Sequence, residues 1–144
     1  MNKSITVTKR SGETESFDAE KIHQVALWAC EDIANVSASQ IQTKLYSQLY
    51  DKIPTTKIHE LLNQAAVELI TTDTPNYQWV AARLRLFQVR KVALGSFQPI
   101  PVKQLVERNI KLGLYTPELL EWFSDDEFAQ FDKIIKHDRD FSYA

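Results

Sequence analysis

Strand periodicity occurs once in this chain, at its start, and the rest of the chain has the spacing of helices. Ile5 and Val7 alternate with Thr6 and Thr8 within residues 4–10, Ser11-Gly12 marks a turn, and residues 13–17 return as a short strand ending at Phe17. A lone two-stranded hairpin is marginal in water, so this one has to lie on helices. Asp18 is placed to cap a first helix over residues 19–34, with Ile22, Val25, Ala26, Ala29 and Ile33 along one face. Ser37 with Gln40 makes a capping-box pattern for a second helix carrying Ile41, Leu45 and Leu49. Pro54 interrupts, and Thr55 or Thr56 caps a third helix with Ile58, Leu61, Leu62, Ala65, Ala66 and Leu69. Thr74-Pro75 reads as N-cap and first residue of a long fourth helix that Gly95 ends.

The expected fold is therefore mainly α with a small β-hairpin: four helices under a two-stranded antiparallel lid over residues 1–95. Residues 96–101, Ser-Phe-Gln-Pro-Ile-Pro, read as a linker, because prolines two apart resist helix and strand alike. Residues 102–144 form a helical extension: a helix near 102–112 ended by Gly113, a short one after Pro117, and one from Ser124. Ser124 with Glu127 repeats the capping-box pattern, and Phe128, Phe131, Ile134 and Ile135 share a face. The last residues, 137–144, stop without a terminating signal, as if cut from a longer chain.

Composition excludes several classes. A formal charge of −2 lacks the basic excess of generic nucleic-acid binding. No apolar run approaches the roughly 20 residues of a membrane span, and the N-terminus lacks the apolar core of a secretory signal. A cytoplasmic protein is the expectation. Cys30 is the single cysteine, so neither an internal disulfide nor a cysteine-based zinc site can form. His23, His59 and His137 are far apart in sequence, there is no Gly-x-Ser-x-Gly elbow, and the three glycines form no phosphate-cradling loop. No catalytic residue and no metal ligand is assigned.

The chemistry that remains is cationic. Thr8-Lys9-Arg10-Ser11-Gly12 puts a basic pair in the hairpin just before a helix N-terminus bearing Lys21. Cations and helical N–H groups aimed at one point suit a polyphosphate. Thr55 and His59 are i and i+4 at the start of the third helix, and Phe87 and Lys91 repeat that spacing on the fourth. By spacing alone the default reading of these residues is plainer: Lys9, Lys21 and Lys91 as solvated lysines, Thr55 as a helix cap, His59 as a surface or satisfied histidine and Phe87 as core.

The run Val7-Thr8-Lys9-Arg10-Ser11-Gly12, with Glu15, Phe17-Asp18 and Lys21-Ile22, resembles the opening of the ATP-cone, a regulatory nucleotide-binding domain. Thr55, Ile58-His59, Ala65-Ala66, Pro75-Asn76-Tyr77-Gln78, Ala81-Ala82-Arg83-Leu84 and Arg90-Lys91 resemble the version at the N-terminus of the large subunit of class I ribonucleoside-diphosphate reductase. The resemblance continues through Leu112-Gly113-Leu114-Tyr115 into residues 137–144, which look like the lead-in to that enzyme's catalytic barrel.

The resemblance implies an effector site for ATP, which activates, or dATP, which inhibits through a changed oligomeric state. Lys9 and Arg10 would hold phosphates, joined by Lys21 and Lys91, with Mg²⁺ accompanying the triphosphate. Glu15, Ser16, Phe17, Asp18, Ala19, Glu20 and Lys21 would wrap the nucleotide, Glu15 and Asp18 toward base and sugar, with Ile22 beside the adenine. Thr55 and His59 would sense the ribose, and Phe87 would line the base slot. Trp28 either flanks a second nucleotide or is a core indole. The implied partners are the rest of the large subunit and the radical-generating small subunit, with no nucleic acid and no membrane. Reductase chemistry needs several cysteines, so this chain would regulate and not catalyse. The alternatives are a helical oligomerisation module with a degenerate site, or a fragment of an ATP-cone transcriptional repressor.

Overall fold

The computed structural model describes residues 5–142, which divide between Leu86 and Phe87 into two compact units. The first unit opens with β1 (Thr6–Thr8) and β2 (Thr14–Ser16), antiparallel with Val7 opposite Glu15. Its helices are α1 (Ala19–Cys30), α2 (Ala38–Tyr46), α3 (Thr55–Glu68) and the first part of α4 (Tyr77–Leu94).

A third strand, which the sequence pattern does not signal, enlarges the hairpin to a sheet. β3 (Ile53–Pro54) lies parallel to β1, Val7 against Ile53 and Thr8 against Pro54, giving the order β2-β1-β3. Asp51 pins this edge: its Oδ1 accepts from the Thr6 N–H at 2.9 Å and the Thr6 hydroxyl at 2.7 Å.

The core of this unit is the set of stripes expected from helical spacing. Ile22, Val25, Ala26 and Ala29 of α1 are buried, as are Ile41 and Leu45 of α2 and Ile58, Leu61, Leu62, Ala65 and Ala66 of α3. Val7 and Ile53 carry the sheet onto this core, both buried.

Several ends differ from expectation for identifiable reasons. α1 stops at Cys30, short of residue 34, because Asp32 and Asn35 take left-handed backbone at φ 58° and 60°. Neither Thr55 nor Thr56 caps α3; the N-cap is Pro54, whose extended backbone belongs to β3, and no side chain caps the helix. Thr74 does not cap α4 either. Its hydroxyl donates to the Leu69 carbonyl at 2.7 Å, and Pro75-Asn76 form a tight turn before α4 starts at Tyr77.

Ser37 caps α2 as expected, accepting from the Gln40 N–H at 3.4 Å. The reciprocal half of the box is replaced by a distant residue. The Ser37 N–H donates to the Tyr77 hydroxyl at 3.0 Å, and that hydroxyl donates to Gln40 Oε1 at 2.6 Å.

The second unit contains the rest of α4, α5 (Val102–Lys111), α6 (Leu119–Trp122), α7 (Asp125–Ile134) and a 3₁₀ segment, His137–Ser142. Residues 96–101 contain no helix or strand. Gly95 and Gly113, at φ 73° and 70°, end α4 and α5 in the left-handed conformation that glycine adopts freely. After α5, Gly113 N–H to Ile110 and Leu114 N–H to Asn109 complete the paired bonds of a Schellman end. The Ser124–Glu127 capping box forms in both directions. Phe123, Phe128 and Phe131 pack edge to face, Val102 N–H donates to Asp132 at 2.8 Å, and Arg90 meets Asp140 at 2.6 Å.

Candidate functional site

The hairpin turn is built by two backbone bonds, Lys9 N–H to Glu13 and Gly12 N–H to the Lys9 carbonyl. Gly12 sits at φ 87°, a conformation that side-chain-bearing residues resist. Strand alternation puts Lys9 on the same face as Val7 and Glu15, and Lys9 Nζ reaches Glu15 Oε2 at 2.8 Å. The pair is mutually reinforcing. The hydrogen bond to Glu15 raises the Lys9 pKa, and the same bond holds the Glu15 carboxyl below the usual range, helped by the charges of Lys9 and Lys21 and opposed by desolvation and Asp18. Arg10 is exposed in the turn and makes no ion pair among the described residues.

Where β2 runs into α1, Asp18 is the N-cap. Its Oδ1 accepts from the N–H groups of Glu20 at 3.0 Å and Lys21 at 3.3 Å, and its Oδ2 lies 3.6 Å from Lys21 Nζ. This corrects one expectation: these N–H groups already serve the Asp18 carboxylate and are not free for a phosphate. The start of α3, by contrast, has no side-chain cap. The parallel register of Thr8 with Pro54, carried one residue further, sets Thr55 level with Lys9, with half-buried His59 one turn along.

Glu15 links the two ends of the β1–β2 pair: it meets Lys9 at the turn end, where α3 also starts, and feels the charges of Lys21 and Asp18 at the opposite end, where Ser16 and Phe17 lead into Ala19 and Glu20. Ile22 is buried at the base of this segment. Phe87 and Lys91 belong to the second unit. Phe87 is buried with Phe141 edge-on at 6.2 Å; Lys91 donates to the Gly95 carbonyl at 3.0 Å and stands 5.1 Å from the Phe97 ring centre. Trp28 is half-buried on α1.

Sequence reading passed over the side chains that back the segment 17–19. The Phe17 ring meets Tyr46 edge-on at 6.1 Å, and Gln42 Nε2 donates to the Ala19 carbonyl at 3.2 Å. The one signal for them was the i, i+4 spacing of Gln42 and Tyr46, off the buried Ile41–Leu45 stripe.

No helix of the described residues is long and apolar enough to cross a membrane. Burial pushes the Cys30 thiol up to about 11 despite the nearby Arg83 charge, so it is protonated at neutral pH and a weak nucleophile.

Residues 5–92 match the ATP cone domain. Along 146 aligned residues the chain is 47% identical to ribonucleoside-diphosphate reductase 1 subunit alpha of Salmonella typhimurium and 46% identical to that of Escherichia coli. It is 42% identical to the ribonucleoside-diphosphate reductase subunit alpha of Haemophilus influenzae. Each alignment covers 100% of this chain and 19% of the relative, so the chain spans about a fifth of their length. The chain belongs to the ATP cone domain family, in a form similar along its whole length to the N-terminal region of ribonucleoside-diphosphate reductase alpha subunits.

Proposed function

We propose that this chain is the allosteric overall-activity domain of a ribonucleoside-diphosphate reductase large subunit, binding ATP as activator or dATP as inhibitor. The observation that carries the reading is the run of linked charges from Lys9 through Glu15 to Lys21 and Asp18 along β2 and the start of α1, with the uncapped start of α3 at its Lys9 end, all within residues 5–92. Lys9 and Arg10 hold phosphates from the turn, and Lys21 and Lys91 add positive charge. Lys9 exchanges its Glu15 partner for a phosphate oxygen, one charge-assisted hydrogen bond for another. The released Glu15, with Asp18, then accepts from base or sugar.

Ser16, Phe17, Ala19 and Glu20 form the wall around the ligand, Ile22 packs beside the adenine, and Phe87 lines its slot. Thr55 and His59 read the ribose. Effectors that differ by one hydroxyl shift an equilibrium only through their different affinities for its two states, so a contact near these two residues has to differ between ATP and dATP. Mg²⁺ normally keeps several waters and travels with the triphosphate, held here through the phosphates. The partners in this reading are the remainder of the large subunit and the radical-generating small subunit. The setting is cytoplasmic deoxyribonucleotide synthesis, with dATP favouring an inhibited oligomer.

Calorimetric titration of the chain with ATP and with dATP tests the reading. Both are expected to bind, and Lys9→Ala is expected to weaken each by about tenfold or more through loss of a charge-assisted hydrogen bond. No heat with either nucleotide at sub-millimolar concentration would falsify it. Light scattering that shows assembly indifferent to dATP would favour a nucleotide-independent oligomerisation module.

A further inference from the structure

We propose that Gln42 is a positioning residue for the segment Phe17–Lys21, holding the nucleotide-facing start of α1 from α2; this rests on the functional reading above. Gln42 lies off the buried stripe of α2 and spends its whole amide on neighbours. Nε2 donates to the Ala19 carbonyl at 3.2 Å and to the Tyr46 hydroxyl, and Oε1 stands 2.9 Å from His23 Nδ1. A backbone carbonyl only accepts, so Nε2 must face Ala19. Oε1 then faces His23, which places the imidazole proton on Nδ1. The three contacts are consistent with a single orientation of the amide.

Tyr46, one turn further along α2, sets its ring against Phe17 at 6.1 Å and an interplanar angle of 79°. One amide and one ring from α2 therefore grip the residues on either side of Asp18, the side chain that caps α1 and pairs with Lys21. A segment held in this way before the ligand arrives loses less freedom on binding. Gln42 touches no ligand in this scheme; it acts through the backbone at Ala19.

The test uses Gln42→Glu, which keeps the side-chain length and an oxygen toward His23 but replaces the donor to Ala19 with an oxygen. ATP affinity is expected to fall about tenfold. Gln42→Met, which removes every polar contact at similar length, should act in the same direction. Lys44→Met on the same helix breaks the 3.2 Å Lys44–Glu68 pair without touching residues 17–19, and should leave affinity unchanged. In nucleotide-free protein, the Glu20 and Lys21 amides should exchange faster in Gln42→Glu, while those of α3 stay as in wild type.

Wild-type affinity in both Gln42 variants, an equal loss in Lys44→Met, or unchanged exchange at Glu20 and Lys21 would overturn the proposal. A wild-type chain that binds no ATP overturns the functional reading instead, and the exchange comparison still decides whether Gln42 holds the segment.

Discussion

The two compact units treat their apolar side chains in opposite ways. In the first, Ile41, Leu45, Ile53, Leu62 and Val80 are fully enclosed, and helix after helix presents a stripe that finds cover. In the second, Val106 and Phe128 are buried, yet Leu112, Leu114, Trp122 and Ile134 are each more than half exposed. The second unit relies more on located contacts: the Val102–Asp132 cap, the 2.7 Å Lys103–Asp125 pair and three phenylalanine edges. Filled volume holds the first unit, and pins hold much of the second. The same contrast appears within the first unit, where helices share a core while the outer edge of the sheet is tied by Asp51.

Truncation separates the two modes most sharply. Leu62→Ala should destabilise the chain by about 3 kcal/mol, the cost of lost burial plus an unfilled cavity. Ile134→Ala, at a position 71% exposed, should change stability by less than about 0.5 kcal/mol. Denaturant titration reads both, and comparable losses would break the contrast. The smallest effect is expected from acid. The Thr6 hydroxyl and N–H hold the Asp51 carboxyl below its ordinary value of 3.8. Because the folded value is the lower one, this contribution is complete above the ordinary value and fades as pH falls from there through the folded value. The thermal midpoint of wild type should therefore drop more on acidification than that of Asp51→Asn; parallel curves would show that the pin contributes nothing.

Local features were legible in the sequence and long-range ones were not. The caps by Asp18, Ser37 and Ser124, the glycine ends at Gly95 and Gly113, and the buried stripes of α1 to α3 all depend on residues within about one turn of each other. β3 was hidden because two residues, one a proline, carry no strand period; only pairing with β1 makes them a strand. The Tyr77 hydroxyl at the start of α2 was hidden for the same reason, its partners lying in a different helix. In the candidate site, the cationic residues Lys9 and Lys21 were readable, but their acid partners change the chemistry. The sequence suggested open positive charge, whereas the folded site holds the lysines against Glu15 and Asp18. Gln42 escaped notice because a glutamine on a half-exposed helix face looks like solvent coating until its neighbours are known.

The parallel seam between β1 and β3 has a kinetic consequence. Joining Val7 to Ile53 closes a loop that contains both α1 and α2, whereas the helices themselves form from near neighbours in sequence. The strand that leads into Lys9 should then dock late, onto helices already assembled. Pulse-labelled amide exchange during refolding should protect Leu62 before Lys52, whose N–H donates to the Thr6 carbonyl across the seam at 2.8 Å, and simultaneous protection would refute that order. An unfinished chain, or one partly opened by heat, would in that case be blind to its effector before it lost its helices.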